Sequence, residues 1–181
     1  RLYGWATERL YHEFAWAYEI VAWLVSLGRW RAWREAALDY AVGHRVLELG
    51  FGTGVLLASA AHRGLSIVGV DPSPAMHRVA ARRLRRHGLR ASRVRARAQE
   101  LPFADGAFDT VIATFPTSYI ADPTTLARVA RVLAPQTGGA SGRLVVTGLG
   151  IRSDPPWVAR LYAQVLGGGG GYRTDYREKE E

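Results

Sequence analysis

Val46-Leu47-Glu48-Leu49-Gly50-Phe51-Gly52-Thr53-Gly54 joins a short aliphatic run to three closely spaced glycines, and Val55-Leu56-Leu57-Ala58 follows as a helix-forming run. A strand, a glycine turn and a helix in that order are the opening unit of an open α/β sheet, whose ligand crevice lies at the carboxyl ends of its strands. Glycines there let the backbone turn sharply and approach a ligand with no Cβ in the way. The spacing separates two ligand classes. A dinucleotide fingerprint requires G-x-G-x-x-G/A, and after Gly50 and Gly52 its third position falls on Val55, too large for that close contact. Here the third glycine comes one residue early, at Gly54.

Downstream, short β-branched runs alternate with helical stretches. Arg45 to Leu49 and Ser66 to Val70 read as the first two strands, with a helix from Val55 to about Arg63 between them. A second helix spans Pro74 to Arg86, with Ser73 as N-cap, Pro74 at the first helical position and Gly88 as its stop. Strands near Ser92 to Arg95, Thr110 to Phe115 and Arg143 to Thr147 complete the series, the last two separated by a helix from Pro123 to Leu133. Five strands joined by crossovers predict an α/β fold: a Rossmann-like, mainly parallel open sheet with helices on both faces.

At the tip of the second strand, Val68-Gly69-Val70-Asp71 sets a carboxylate 21 residues after Gly50. That is close to the offset at which an acidic side chain accepts hydrogen bonds from ribose hydroxyls, so an adenosine moiety is the expected ligand. Taken alone, Asp71 would also serve as a helix-initiating residue before Pro72.

The segment before the first strand is helical in pattern, with Phe14, Tyr18, Val21 and Val25 at spacings of three to four and Gly28 as a stop. It holds Trp5, Trp16, Trp23, Trp30 and Trp33, leaving only Trp157 elsewhere, and interleaves them with Tyr3, Tyr11, Phe14 and Tyr18. The expected organisation is one domain over 1–181: an aromatic helical cap at 1–43, a core at 44–149, and a short helix with a glycine-rich tail at 150–181.

The chain has 181 residues, 48% hydrophobic and 22% charged, and contains no cysteine, which excludes a disulfide framework and thiolate chemistry. Its longest nearly apolar stretch, Ala15 to Leu27, is too short and too polar for the roughly 20 apolar residues of a spanning helix. A cytoplasmic location is the default expectation, although the chain opens at Arg1 and leaves a removed leader open. The net charge of +8 comes from 24 basic residues of which only Lys179 is lysine, a pattern of codon composition as much as of function. Arg82, Arg83, Arg85, Arg86, Arg90, Arg93, Arg95 and Arg97 form the densest group. No aromatic residue interleaves them to stack bases, so a solvated helix face is favoured over nucleic-acid binding.

VLELGFGTG, then VGVDPSPAM, LPFADGAFDTVIA, and LARVARVLAP with RLVV, resemble in order the motifs of class I S-adenosylmethionine (SAM)-dependent methyltransferases, especially the ubiquinone/menaquinone-biosynthesis type. The resemblance covers about Arg45 to Thr147. It implies a SAM-dependent enzyme releasing S-adenosylhomocysteine. Gly50, Phe51, Gly52, Thr53 and Gly54 would pass under the methionine part, Glu48 would assist its amino group, and Asp71 with Pro72 and Ser73 would hold the ribose. Met76 would lie against the adenine or serve as an ordinary core residue. Where the family has D-A-x-x-L-P-F, this chain has Arg97-Ala98-Gln99-Glu100-Leu101-Pro102-Phe103. Arg97 has only donors, so the adenine contact would be lost or would pass to Gln99, with the Ala98 backbone still serving the ring edge.

Phe115-Pro116-Thr117-Ser118-Tyr119 stands where family members line the methyl-acceptor pocket, with Phe115 also expected against the cofactor and Tyr11 and Tyr18 of the cap as further substrate residues. Tyr119 and His12 are the candidates for a general base, needed only if the nucleophile must lose a proton. No metal-ligand spacing is visible among the five histidines. The loop lacks the N/D-P-P-Y/F arrangement of amino methylation. An aromatic lid suits a small apolar or aromatic acceptor, while packing of the rings onto the sheet explains the same residues. Trp23, Trp30 and Trp33 beside Arg29, Arg31 and Arg34 also resemble an interfacial helix, which would give peripheral membrane contact.

The alternatives are an NAD(P)-binding oxidoreductase, disfavoured by the glycine spacing and the lack of a Tyr-x-x-x-Lys pair, and a non-catalytic SAM-fold binding protein. Class I methyltransferases usually add a sixth and an antiparallel seventh strand. Little in 150–181 reads as two strands, so a reduced or missing C-terminal hairpin is expected, or one built by a partner chain in a homodimer.

Overall fold

The computed structural model describes residues 30–135 and 141–148, and these fall in one compact unit. Its elements in chain order are α1 (Trp30–Glu35) with a 3₁₀ turn (Ala36–Tyr40), β1 (Arg45–Leu49), α2 (Val55–His62), β2 (Ser66–Val70) and α3 (Pro74–Arg86). Then come β3 (Ser92–Val94), a 3₁₀ turn (Ala98–Glu100), β4 (Thr110–Thr114), a 3₁₀ turn (Ser118–Ala121), α4 (Pro123–Val132) and β5 (Arg143–Thr147). The expected elements at 2–29 and 149–181, including His12, Tyr11, Tyr18 and any C-terminal hairpin, lie outside the described residues.

All five strands pair in parallel in the order β3-β2-β1-β4-β5. The central position of β1 follows from its composition, since a parallel strand covered on both faces needs apolar residues on both, and Val46, Leu47 and Leu49 are fully buried. Register is set by β1 against both neighbours, with Glu48 opposite Gly69 of β2 and Ile112 of β4. On one face Val46, Ile67, Ile112 and Val145 pack against Ala37, Leu56, Leu57, Ala60, Met76 and Ala80. On the other, Leu47, Leu49, Val70, Val111 and Ala113 pack against Leu101, Phe108, Val129 and Val132. Helices therefore cover both faces.

Three helix starts follow from local chemistry. Ser73 caps α3, its hydroxyl accepting from Met76 N at 3.4 Å, and Pro74 occupies the first turn, where a missing N–H costs nothing. Asp122 caps α4 by accepting from Thr124 N at 2.8 Å. Gly54 opens α2 from the left-handed region at φ 75°. Two expected boundaries shift. The third strand ends at Val94, and the fourth at Thr114, because Phe115 turns to φ 50°, which a strand cannot accommodate.

Side chains tie the loops to this frame. Thr110 Oγ1 accepts from Val42 N (2.8 Å) and donates to Val42 O (2.7 Å), fixing the approach to β1. Asp109 accepts from His44 N, Arg45 N and the Arg45 guanidinium. Arg131 of α4 donates to the carbonyls of Leu101 and Phe103 and to Asp105, so LPFAD and LARVARVLAP are physically one unit. No helix among the described residues is long and apolar enough to cross a membrane.

Candidate active site

The glycine loop lies at the carboxyl end of the central strand, between the tips of β2 and β4. Gly50, Gly52 and Gly54 all adopt positive φ, at 66°, 53° and 75°. Their missing side chains have different uses. A Cβ on Gly50 would stand 2.9 Å from Tyr119 Oη, and one on Gly54 would stand 2.7 Å from Ala80 Cβ, so these two are fixed by packing as well as by φ. A Cβ on Gly52 would meet only Arg34 Nη2, at 3.8 Å. That glycine keeps the loop open on the side facing Arg34.

Asp71 braces the loop. Its Oδ2 accepts from Gly52 N at 2.9 Å and its Oδ1 from Ser73 N at 2.8 Å, while its carbonyl meets His77 Nε2 at 2.9 Å. These contacts orient the carboxylate at the tip of β2. Phe51 turns the other way. Its ring is fully buried, edge-on to His77 with centroids 4.8 Å apart, in the space above Gly69 where any Cβ would fall 2.7 Å from it. What Phe51 can offer a ligand is its backbone. Met76 is likewise buried in the core cluster beneath α3.

Glu48 is the anomaly of the central strand. It is fully buried, and neither carboxylate oxygen has a hydrogen-bond partner. Burial pushes its pKa up to about 8, against the pull of the Arg34 cation and with help from the Asp71 charge. A buried acid without a partner is costly, and such perturbed groups concentrate in functional clefts.

Above the loop, Phe115 holds its strained φ while its N donates to Thr147 O at 2.7 Å. Pro116 is half-buried and Thr117 and Ser118 are exposed. Tyr119 leans back over Gly50, donating from Oη to Leu49 O at 3.2 Å. Burial, then Glu48, then Asp71 raise its pKa above the ordinary phenol range, so it keeps its proton at neutral pH. On the far side, Gln99 donates from Nε2 to Asp122 Oδ2 at 3.0 Å, which fixes its amide oxygen as the remaining acceptor. Ala98 is half-buried beside it, and Arg97 is exposed.

Sequence reasoning missed Arg34. Grouped with Arg29 and Arg31 as an interfacial cation, it is instead 5% exposed, its Nε donating to Thr114 Oγ1 at 3.2 Å. The correction has a simple cause. Helical periodicity places Arg34 on a turn of α1 but cannot show that the tip of β4 meets that turn. Among the described residues, no group of three or more acidic or histidine side chains is arranged for a metal.

Residues 46–136 match the family described as methyltransferase domain. The chain is 38% identical to demethylmenaquinone methyltransferase of Thermus thermophilus over 76% of this chain and 63% of that protein. It is 34% identical to the demethylmenaquinone methyltransferase of Thermobifida fusca over 81% of this chain and 68% of that one. The chain thus spans about two thirds or less of these relatives' lengths. Among solved structures, a SAM-dependent methyltransferase of Thermotoga maritima, described as a possible histamine N-methyltransferase, superposes with a TM-score of 0.62. That match has 24% identity, over 86% of this chain and 67% of that one, and it attests the fold. The chain belongs to the class I SAM-dependent methyltransferase family, of the ubiquinone/menaquinone-biosynthesis type.

Proposed function

We propose that this family member binds SAM at the Gly50–Gly54 loop and methylates a small apolar ring of the quinone type. The observation that carries the reading is Glu48: a buried, unpartnered carboxylate directly before a left-handed glycine loop. The ammonium group of an amino-acid ligand is the partner such a carboxylate lacks. Asp71, already oriented by two backbone donors, suits ribose hydroxyls, with Pro72 and Ser73 beside it. Gln99, with its amide oxygen fixed as acceptor, suits an adenine amine and replaces the acid that Arg97 cannot be.

When bound, SAM supplies an electrophilic methyl on a sulfonium, so the protein's tasks are orientation, exclusion of water and electrostatics. Gly52 admits the ligand against the backbone. Phe115 and Pro116 give apolar wall, and Thr117 and Ser118 give hydroxyls at the rim. Tyr119 keeps its proton, which it donates to Leu49 O, so its hydroxyl can position the methyl acceptor only by accepting a hydrogen bond, and proton removal is left to His12 or solvent. The names of the Thermus and Thermobifida relatives support a demethylmenaquinone-like ring as acceptor. The aromatic cap, which includes the half-buried Trp33, supports the same class. Such rings partition into lipid, and Trp23, Trp30 and Trp33 with Arg29 and Arg31 provide the residue types of a membrane-surface helix.

Calorimetric titration with SAM, S-adenosylhomocysteine and NADH tests the cofactor. Binding of both adenosyl ligands and not NADH is expected; binding of NADH alone would overturn the reading. Transfer of labelled methyl from SAM to a reduced demethylnaphthoquinone in detergent tests the acceptor, and labelling only of amines or nucleic acid would refute it.

A further inference from the structure

Arg34 and Glu48 are a buried guanidinium and a buried carboxyl group at the same loop, and they do not pair. Arg34 is 5% exposed and Glu48 0%, yet among the described residues no ion pair joins them. Arg34 reaches the site from α1, and among the described residues its side chain donates from Nε to Thr114 Oγ1. Thr114 is two residues beyond Ile112, which pairs with Glu48, so its side chain shares the Glu48 face of the sheet. The Nη2 end of the guanidinium points toward Gly52, 3.8 Å from where a Cβ would stand. Glu48 rises from the strand that leads into the same glycine loop, its oxygens unpartnered.

Burying the guanidinium, and ionising the buried carboxyl, each carries a desolvation cost that an opposite charge would reduce. Holding the two apart leaves the cost in place until a ligand with both charges fits between them. An α-amino acid has that pattern, with an ammonium for Glu48 and a carboxylate for the guanidinium fork, which matches carboxylate geometry. Gly52, the one loop glycine whose Cβ would meet nothing but Arg34, leaves the space for it.

We infer that Arg34 is the carboxylate anchor of the site, working opposite Glu48 to grip the amino-acid end of the cofactor. This inference rests on the SAM reading above, and the ligands used in the test separate the two. S-Adenosylhomocysteine carries the amino-acid end, 5′-methylthioadenosine lacks it, and S-adenosyl-3-thiopropylamine lacks only the carboxylate. In the unaltered protein, the decarboxylated ligand should bind at least 10-fold more weakly than S-adenosylhomocysteine. Arg34→Met should weaken S-adenosylhomocysteine by a similar factor while changing 5′-methylthioadenosine by less than 2-fold, and Arg34→Lys should recover part of the loss. Retained methylthioadenosine binding also reports that the variant is folded. Equal affinity of the unaltered protein for the two full-length ligands would overturn the inference, as would a variant that weakens all three ligands alike. Failure of the unaltered protein to bind any of them would instead overturn the SAM reading on which it rests.

Discussion

Because burial pushes the pKa of Glu48 up to about 8, ligand binding should be pH-dependent in the physiological range. An ammonium group needs the ionised carboxylate. With that pKa, about 1% of Glu48 is ionised at pH 6, about 10% at pH 7 and about half at pH 8. If only the ionised form accepts the ligand, affinity should rise roughly 50-fold from pH 6 to pH 8, or about 2.3 kcal/mol. Binding at pH 7 should release about 0.9 proton from Glu48 to the buffer. The groups facing it act in opposite senses, Arg34 lowering its pKa and Asp71 raising it. Titration calorimetry with S-adenosylhomocysteine, repeated in buffers of different ionisation enthalpy, counts that proton. Glu48→Gln should abolish both the proton release and most of the slope. The folding linkage has a definite sign: the pKa is raised in the folded state, so the stabilising effect is complete below 4.5 and is lost as pH rises through 8. The free protein should therefore unfold more readily at pH 9 than at pH 6, and Glu48→Gln should flatten that difference. Binding without proton release, at an affinity constant from pH 6 to pH 8, would refute the reasoning.

Three further outcomes are expected. Asp71→Ala should weaken S-adenosylhomocysteine by 10-fold or more, about 1.4 kcal/mol, because it removes both the acceptor and the brace on Gly52 N; Arg85→Ala, on the solvated side of α3, should not, and equal titration results would refute the site. Gly54→Ala and Gly64→Ala both place a Cβ at positive φ, at a cost of roughly 1–2 kcal/mol, but only Gly54 has Ala80 in the way. Chemical denaturation should therefore show a clearly larger loss for Gly54→Ala. Asp109, held near pKa 2 mainly by its hydrogen bonds with Arg45, contributes stability that is present above 3.8 and lost as pH falls through 2. Discounted for the half-exposed Arg45, Asp109→Asn should cost about 1–2 kcal/mol at pH 7 and almost nothing at pH 2, measured by urea unfolding.

Local chemistry alone determined much of this protein. The runs Arg45–Leu49 and Ser66–Val70, the Ser73-Pro74 helix start and the early third glycine each act within a few residues, so the parallel sheet, the crevice and the adenosyl class of ligand were legible without coordinates. Boundaries were less so: Phe115 reads as one more strand residue, and only its φ of 50° shows the chain leaving the sheet. Direction was also hidden. Phe51 sits inside the loop motif, yet its ring fills the space over Gly69, because strand pairing brings that glycine beneath it.

The largest gap lies in charge. Glu48 was visible as a motif residue, but its isolation is a property of the completed core, which removes water from both sides of β1. Arg34 was legible only as a cation of an interfacial helix, since its position depends on the turn of α1 meeting Thr114, 80 residues away along the chain. Short-range chemistry specifies which groups are present and which local elements they build. Which of them lose their water, and which stand opposite one another across the loop, is settled by packing, because desolvation and long-range charge placement arise when distant segments meet.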